Sequence, residues 1–329
     1  MTAYETLRII RGLPRPEERT PCALAIGNFD GTHLGHQALF QTVVSEARAR
    51  GLLPSVLTFE PHPREFFGDT SIRRISTLRD RYRTILACGI ERICVLPFNK
   101  TLAELSPREF AEKILVDGLD AKWVAVGKNF YFGSKGMGSG DTLERLGKEL
   151  HFDVHLQPLF SIDGQIACSS RIREALALGD LKTATQLLGH PYCITGRVVH
   201  GAQLGRKLGF PTLNIDILPP GSISKPALQG VFAVAIRNLD ESGKTYGGVA
   251  SLGVKPTVTA DARWLLEVNV FDWTGNAYGK MVEITFLEKL RDEKKFDNLA
   301  ALKEAISQDA LCARNLFSQA SYNQLFTVD

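Results

Sequence analysis

The sequence predicts two domains of different class: an α/β domain built on a doubly wound parallel sheet, and a small antiparallel β-barrel with terminal helices. The length of 329 residues exceeds what one core commonly holds, since a domain contains roughly 100–200 residues. Apolar runs alternate with helical patterns in the first half, whereas strand patterns between Gly, Pro and Asp dominate the second. The pattern changes where GHPY follows residue 188, so the predicted domains are residues 1–188 and 189–329.

The first domain is predicted to repeat a strand–helix unit. A strand at residues 22–26 leads into a Gly-rich turn and then into a helix that continues to Arg50. The further predicted elements are strands at 55–59, 92–96 and 122–126, and helices at 78–88, about 107–116, 170–178 and 181–188. Repeats of this length favour a parallel sheet with helices on both faces. Ligands of such sheets bind at the carboxyl ends of the strands, where the strand order reverses.

The second domain is predicted to be a barrel of short strands. In the strand at residues 264–271 the even positions are apolar, so the period of two places Glu267 on the face away from the core. The other predicted strands are residues 231–236, 248–252 and 281–287. Several such strands between turn residues suggest a small antiparallel barrel. A helix capped by Asp297 is predicted to follow them.

The composition indicates an ordinary globular protein. Hydrophobic residues make up 44% and charged residues 23% of the chain, and the formal net charge is +3. Because the charges are interspersed and form no basic stripe, nucleic acid is not an expected partner. No apolar run approaches the roughly 18–20 residues that span a bilayer, and the first residues contain no apolar leader, so no membrane partner is expected either.

The cysteine pattern favours a reducing compartment. The six cysteines are scattered without a CxxC pair, which fits buried, reduced thiols better than a disulfide framework or a zinc site. His151 and His155 have the HxxxH spacing, but their segment is predicted to be a strand, so no zinc site is expected there. The sequence therefore predicts a cytoplasmic protein, either monomeric or a homo-oligomer.

The turn between the first strand and helix is the strongest functional signal of the first domain. It reads GNFDGTHLGH over residues 27–36. Its free N–H groups and the helix dipole favour an anion, by roughly 0.3–1 kcal/mol. His33 and His36 share a face of the first helical turn, where two imidazoles can stabilise charge that develops on an α-phosphate. Gly35 between them leaves room for the phosphate. The alternative is a tight turn with two surface histidines.

This turn resembles the HxGH nucleotidyltransferase superfamily, and its longer form is similar to the bacterial bifunctional riboflavin kinase/FAD synthetase family. The similarity continues through FEPHP at residues 59–63, VGKNFYFG at 126–133 and CSSRIR at 168–173. It implies that ATP is bound by Gly27, Asn28, Phe29, Asp30, Gly31, His33, Gly35, His36, Ser169, Ser170 and Arg173. It implies that flavin is bound by Phe59, Pro61, His62, Asn129 and Phe130.

Some positions depart from the family pattern or allow a second interpretation. Family members usually have Ser where Cys168 stands and Thr where Ser170 stands, and they often have Asp where Asn129 stands. A hydroxyl therefore remains where a phosphate needs one. His62 lies in a turn, where it either lines the site or is held by backbone contacts. The Gly-rich run at residues 133–140 is either a flap over substrate or a flexible loop.

The segment GRVVHGAQLGRKLGFPTLN at residues 196–214 is the strongest signal of the second domain. Its Gly-rich loop allows the backbone to approach phosphates closely. Thr212 and Asn214 are two apart, so in a strand their oxygens point the same way, and such hard oxygens suit Mg²⁺ bound with nucleotide phosphates. The alternative is a structural turn followed by a strand in which Asn214 satisfies backbone groups.

This segment resembles the riboflavin kinase signature, and further matches follow at residues 230–233, 248–257, 266–268, 278–280 and 286–293. The resemblance implies an ATP and Mg²⁺ site that includes Gly201, Gly205, Lys207, Gly209, Pro211, Thr212 and Asn214. It also implies that Glu267 is the base for the ribityl 5′-hydroxyl, because an alcohol needs a proton acceptor to attack a phosphoryl group. Arg291 is implied to lie beside the flavin, with an ion pair to a helix as the alternative.

The sequence thus predicts an enzyme that phosphorylates riboflavin to FMN and then transfers AMP from ATP to FMN, giving FAD. Its expected small-molecule partners are riboflavin, FMN and ATP, with Mg²⁺ as cofactor. Departures from the family in the loop at 202–204, and at Ser251, Lys255 and Asn269, leave a second hypothesis in which kinase activity is weakened or lost. A third hypothesis is a non-catalytic flavin- or nucleotide-binding regulator, against which the intact Glu267 argues.

Overall fold

The structure is a computed structural model that describes residues 8–162, 164–201, 209–217, 224–255, 263–319 and 322. The chain divides into two compact units. The first comprises Met1–Ile72 and Arg81–Cys168, and the second comprises Arg73–Asp80 and Ser169–Asp329. The loop residues 202–208, which include Gly205 and Lys207, lie outside the described residues.

The strands are numbered in chain order. They are β1 Arg8–Arg11, β2 Cys22–Ile26, β3 Leu53–Glu60, β4 Arg73–Arg74, β5 Arg92–Pro97, β6 Ala121–Gly127, β7 Asp153–Gln157, β8 Ser161–Ile162, β9 Gln165–Ile166, β10 Cys193–Val199, β11 Thr212–Asp216, β12 Lys225–Pro226, β13 Gly230–Arg237, β14 Tyr246–Lys255, β15 Arg263–Val270 and β16 Met281–Arg291.

The helices are numbered in the same way. They are α1 Leu34–Arg50, α2 Pro63–Phe66, α3 Leu78–Ala87, α4 Lys100–Glu104, α5 Pro107–Phe110, α6 Gly140–Leu150, α7 Ser169–Leu178, α8 Leu181–Leu188 and α9 Leu299–Phe317. A π-helical segment, Ala111–Val116, continues α5, so the helix predicted at about 107–116 is present.

The first unit is built on a parallel sheet of six strands in the order β1-β5-β3-β2-β6-β7. Alternate residues of β2 face different cores, since Leu24 packs in one apolar cluster and Ala25 in another. Both faces of the sheet are therefore covered, which confirms the predicted doubly wound architecture. From β2 the chain moves outward through β3 and then β5, and it later returns to place β6 on the other side of β2. The strand order reverses at β2, so the carboxyl end of this strand is where a ligand is expected.

The second unit contains a closed antiparallel barrel in the order β10-β11-β15-β14-β13-β16, with β16 pairing back to β10. Leu252, Leu266 and Val268 point to the barrel interior and are fully buried. Glu267 lies between two of these positions in sequence and so faces outward, as the period of two predicts. The helix α9 covers the outer face of the barrel through Ala233, Ala313 and Leu316, which completes the predicted second fold class.

The start of the terminal helix differs by one residue from the sequence prediction. Asn298, not Asp297, is the N-cap, since its Oδ1 accepts a hydrogen bond from the backbone N–H of Ala301 at 2.9 Å. Asp and Asn are similarly good caps, so adjacent candidates cannot be ranked from the sequence. None of the helices that the structure describes is both long and apolar enough to cross a membrane.

Candidate active sites

The Gly-rich turn of the first unit lies at the carboxyl end of β2 and is tied to the neighbouring strand β3. The N–H of Gly27 donates to the carbonyl oxygen of Leu57 at 3.1 Å, and Thr58 Oγ1 donates to the carbonyl oxygen of Asn28 at 3.2 Å. Phe29 and Thr32 have φ values of 51° and 43°, a conformation that non-glycine residues rarely adopt. The turn is therefore a constrained structure that brings the start of α1 to the end of the sheet.

The two histidines of this turn lie against each other. His33 is the N-cap of α1, and its carbonyl oxygen accepts a hydrogen bond from the N–H of His36 at 2.7 Å. The two rings stack with centroids 3.6 Å apart. Phe29 meets the His36 ring edge-on at 5.1 Å and packs on Phe40, a buried residue of α1, at 4.8 Å. The predicted proximity of His33 and His36 is confirmed, and the core supports the pair.

Gly35 lies close to the ring of His33. A Cβ at this position would lie 3.1 Å from the ring of His33 and 3.3 Å from the carbonyl oxygen of Ala167. Both distances are shorter than ordinary van der Waals contact, so a side chain here would displace the imidazole. The sequence suggested that Gly35 clears space for phosphate, and the structure adds that it clears space for His33.

The second phosphate-binding segment predicted for this reaction begins a helix. Ser169 and Ser170 form the first residues of α7, which belongs to the second unit. Within that unit, Nε of Arg173 donates to the carbonyl oxygen of Arg73 at 2.7 Å. The backbone contact fixes the stem of the Arg173 side chain.

His62 is held by its own helix. Its Nδ1 accepts a hydrogen bond from the N–H of Arg64 at 3.1 Å, and its own N–H donates to Glu65 Oε2 at 3.3 Å. These two bonds form a capping box at the start of α2, with His62 in the N-cap position. The structure thus gives His62 the backbone-held geometry that the sequence left as one of two interpretations.

Aromatic residues gather where β3 and β5 end. The ring of Phe98, which follows β5, lies 6.0 Å from Phe59, 5.4 Å from Phe66 and 5.8 Å from Phe67. Phe66 and Phe67 are 38% and 68% exposed, so this cluster presents an open aromatic surface. Sequence reasoning proposed Phe59 and missed the other three. The sequence feature that could have identified them is their position: Phe66 and Phe67 follow β3 and Phe98 follows β5, and the carboxyl ends of these two strands lie at the same edge of the sheet.

The segment after β6 carries two further flavin candidates, Asn129 and Phe130, which differ in their exposure to solvent. Asn129 is exposed, whereas Phe130 stacks on Phe132 at 5.6 Å and packs against the core. The Gly-rich run that follows is tied to other backbone groups. Phe132 and Gly138 exchange two hydrogen bonds of 2.9 Å, and the N–H of Ser134 donates to the carbonyl oxygen of Leu105 at 2.7 Å. Backbone hydrogen bonds at Ser134 and Gly138 therefore hold the run of residues 133–140.

Three polar residues form one row across the barrel, which we call the polar row. Asn214 on β11 lies directly opposite Glu267 on β15, and Glu267 lies directly opposite Ser251 on β14. Opposite residues of antiparallel strands point to the same face, so all three side chains lie outside the barrel. Thr212 occupies the same face two residues before Asn214, opposite Asn269. The structure therefore brings together the three residues on which the predicted kinase chemistry depends: Thr212, Asn214 and Glu267.

The surroundings of Asn214 fit a cation with oxygen ligands. Its side chain is 5% exposed, and Oδ1 accepts no hydrogen bond from the residues that the structure describes. A Cβ at Gly201 would overlap the side chain of Asn214, so the glycine lets the loop backbone lie directly over the amide. A buried, unsatisfied amide oxygen, with the hydroxyl-bearing Thr212 two residues before it on the same face, is a suitable donor set for Mg²⁺ shared with phosphates. Nearby, Nδ2 of Asn269 donates to the carbonyl oxygen of Pro211 at 2.8 Å, which holds the start of this segment.

Arg291 forms the ion pair that the sequence left as its alternative. Its Nε and Nη2 atoms donate to both carboxylate oxygens of Asp309 in α9, at 2.8–3.1 Å. Asp309 is 6% exposed, and a fork of this kind is the strongest geometry for an arginine–carboxylate pair. This contact fixes the end of β16 to α9.

The six cysteines are all free thiols, as the sequence predicts. Burial raises the pKa of the Cys94 thiol to about 12, and it also raises the pKa of Cys22. In the described part of the chain, no three His, Cys, Asp or Glu side chains are arranged to hold a metal ion.

Comparisons with known proteins divide the chain at a similar place. Residues 15–171 match the FAD synthetase family and residues 188–317 match the riboflavin kinase family. A bifunctional riboflavin kinase/FMN adenylyltransferase of Pseudomonas fluorescens is 39% identical over 96% of this chain and 100% of its own length. That of Haemophilus influenzae is 40% identical over 95% and 100%.

One solved structure is similar over almost the whole chain. A protein of Streptococcus pneumoniae described as a macrolide-efflux protein has a TM-score of 0.74 and 28% identity. The match covers 94% of this chain and 99% of the other. Both units of the fold are therefore represented in an experimental structure.

Proposed function

The chain belongs to the bifunctional riboflavin kinase/FMN adenylyltransferase family, and from this premise we propose how its residues divide the two reactions. The enzyme phosphorylates riboflavin to FMN with one ATP, and it transfers AMP from a second ATP to FMN, which gives FAD and pyrophosphate. The observation that carries the proposal is that each compact unit contains its own group of residues suited to a triphosphate. These are the stacked histidines in one unit and the polar row in the other.

Adenylyl transfer takes place at the carboxyl end of β2. The phosphate oxygen of FMN attacks the α-phosphorus of ATP, the bond to the bridging oxygen breaks, and pyrophosphate leaves. His33 and His36 stabilise the negative charge that develops on the α-phosphate, at a helix N-terminus whose dipole acts in the same direction. Gly27, Asn28 and Asp30 shape the nucleotide pocket, as the family resemblance implies. The same resemblance gives Ser169, Ser170 and Arg173, which belong to the second unit, a phosphate-binding role.

The isoalloxazine ring of FMN binds beside the aromatic cluster of Phe59, Phe66, Phe67 and Phe98. Flavin is a large flat aromatic system, and exposed rings at the end of β3 and β5 supply a stacking surface near the nucleotide turn. Pro61, Asn129 and Phe130 border the same site, as the resemblance implies. His62 contributes by capping α2, the helix that carries Phe66.

Phosphoryl transfer takes place on the outer face of the barrel. Glu267 accepts the proton of the ribityl 5′-hydroxyl while that oxygen bonds to the γ-phosphorus of ATP and ADP leaves. Thr212 and Asn214 would hold Mg²⁺ together with the ATP phosphates. When bound, the cation neutralises charge on the phosphates. The resemblance implies that Gly201, Gly205, Lys207, Gly209 and Pro211 bind ATP and Mg²⁺, and that Arg291 lies beside the flavin.

We place the end of the FMN adenylyltransferase domain at residue 188 and the start of the riboflavin kinase domain at residue 189. The riboflavin kinase match begins at residue 188, and the first barrel strand begins at Cys193. The helices α7 and α8 precede this point, although they belong to the same compact unit as the barrel. We place the protein in the cytoplasm, which its free cysteines support.

Product analysis tests whether the protein catalyses both reactions. The pure protein is incubated with riboflavin and Mg–ATP, and flavins and nucleotides are separated by chromatography. FMN and ADP should appear first, and FAD and pyrophosphate should follow. Accumulation of FMN without FAD, or absence of any flavin product while FMN is still converted to FAD, would show that one site is inactive. Variants of each site, described below, assign the residues.

A further inference from the structure

The polar row contains a serine whose hydroxyl proton is donated in a hydrogen bond within the protein. Ser251 lies directly opposite Glu267, and its hydroxyl donates to Oε1 of Glu293 with an Oγ–Oε1 distance of 2.9 Å. A carboxylate only accepts hydrogen bonds, so the serine is the donor, and a hydroxyl has one proton to give. Ser251 Oγ therefore offers lone pairs alone to a molecule that binds beside Glu267.

Glu293 is exposed, and the residues around it are held by contacts of their own. A Cβ at Gly253, on the same face of β14 as Ser251, would overlap the Glu293 carboxylate, so the missing side chain provides the space. Two residues before Glu293, Arg291 is anchored to Asp309 of α9. Its guanidinium also lies 5.5 Å from the ring centroid of Phe296, three residues after Glu293. The segment that carries Glu293 is thus held on both sides of this residue.

We infer that Glu293 is a positioning residue that makes Ser251 a hydrogen-bond acceptor for a secondary hydroxyl of the ribityl chain. The inference rests on the proposed role of Glu267 as base for the 5′-hydroxyl. Opposite residues of antiparallel strands have Cβ atoms roughly 4.5–5.5 Å apart. The Glu267 carboxylate and Ser251 Oγ are therefore neighbouring acceptors, at a spacing that hydroxyls along one polyol chain can span.

Two neighbouring acceptors distinguish a polyol from other alcohols. Every hydroxyl of the ribityl chain has a proton to donate, so both acceptors are satisfied when riboflavin is bound. A chain that lacks the secondary hydroxyl leaves the Ser251 lone pairs without a donor from the substrate. If Glu293 did not take the serine proton, the hydroxyl could rotate to donate as well as accept, and this selection would weaken.

The test compares riboflavin with 3′-deoxyriboflavin and 4′-deoxyriboflavin as kinase substrates of the full-length enzyme. The readout is the ratio of kcat/KM for riboflavin to that for each analogue. A hydrogen bond between uncharged groups changes this ratio by about 3- to 10-fold. The wild-type enzyme should show such a preference against at least one analogue, and Ser251→Ala should reduce that ratio to about 1.

The variants at Glu293 separate positioning from general stability. Glu293→Ala should lower the ratio at least twofold, and Gly253→Ala should do the same because its Cβ displaces the carboxylate. Glu293→Gln should retain the ratio, since its amide oxygen still accepts from Ser251. Ser307→Ala is the matched control, because Ser307 Oγ donates to the carbonyl oxygen of Lys303 on the exposed side of α9. FMN adenylylation by each variant checks that the protein is folded.

The outcomes distinguish this inference from the function on which it rests. A wild-type enzyme that phosphorylates riboflavin and both analogues equally well would overturn the role of Ser251 while the kinase function stands. An unchanged preference in both Glu293→Ala and Gly253→Ala would overturn the role of Glu293. A wild-type enzyme that phosphorylates none of the three flavins would contradict the proposed kinase function itself.

Discussion

The imidazole rings of His33 and His36 are stacked with centroids 3.6 Å apart and planes inclined by 23°. His33 is 7% exposed, and the ring of Phe29 supports His36 from the side of the core. The two rings therefore act as one preorganised surface, which needs little rearrangement when charge develops on a phosphate.

His36→Ala should lower the rate of FMN adenylylation about 10²–10³-fold, the usual effect of removing one group that stabilises transition-state charge. Riboflavin phosphorylation should be unchanged, because Thr212, Asn214 and Glu267 belong to the other unit. The two reactions are measured separately on one preparation, by FAD formed from FMN and by FMN formed from riboflavin.

His151→Asn is the control for this variant. His151 is exposed, has a φ of 63° and ends α6, a conformation that Asn also tolerates. Both activities should survive this change. Equal loss of the two activities in His36→Ala would show that the assignment of separate sites is wrong.

Glu267→Gln should abolish most of the kinase activity, because the amide retains the shape of the side chain but cannot accept the proton of the 5′-hydroxyl. General-base catalysis typically contributes about 10²–10⁴-fold to the rate. The conversion of FMN to FAD should be unaffected. Glu241→Gln, an exposed glutamate in the turn before β14, is the matched control and should retain both activities. A kinase rate within a few fold of wild type would remove Glu267 from the proposed role.

Asn214→Ala should raise the Mg²⁺ concentration needed for half-maximal kinase activity about 10-fold, since a contact to a charged group is lost. Gly201→Ala should act in the same direction, because its Cβ would overlap the Asn214 side chain. The measurement is a Mg²⁺ titration at fixed ATP. The same titration of FMN adenylylation is the internal control and should not shift. A parallel shift in both reactions would point to a general loss of stability.

The local parts of the fold and of the sites could be predicted from the sequence. The strand at residues 22–26 and the helix at residues 181–188 have the predicted limits, because periodicity and turn residues fix them locally. The proximity of His33 and His36 follows from their three-residue spacing at a helix start, whereas the stacking of their rings is seen only in the structure. The face of Glu267 follows from the period of two in a single strand.

The contacts between distant parts of the chain could not be predicted. Arg291 is a charged residue at the end of β16, a position equally compatible with a substrate contact and with the ion pair to Asp309. Phe98 and Phe67 meet only because β3 and β5 are neighbours in the sheet. The bond between Ser251 and Glu293 joins residues 42 positions apart, and neither carries a local motif for it.

Phe67→Ala should raise the KM for FMN in the adenylylation reaction about 3- to 10-fold, because aromatic contacts of this kind contribute roughly 0.5–1.5 kcal/mol. Phe67 is 68% exposed, so its removal should cost little stability. The KM for riboflavin in the kinase reaction should not change. Phe160→Ala is the control, since Phe160 is a partly exposed phenylalanine of the same unit outside the aromatic cluster. An unchanged KM for FMN would exclude this surface from the flavin site.

The cysteines should react with a thiol reagent in the order of their exposure and pKa. The thiolate is the reactive form, so Cys94, whose pKa burial raises to about 12, stays protonated and unreactive from pH 7 to 10. Cys312 is exposed and should be labelled first. Mass spectrometry after timed labelling identifies the sites. Cys94 should be labelled only after the protein is unfolded in denaturant, and its labelling at the rate of Cys312 in the native protein would contradict the buried position of β5.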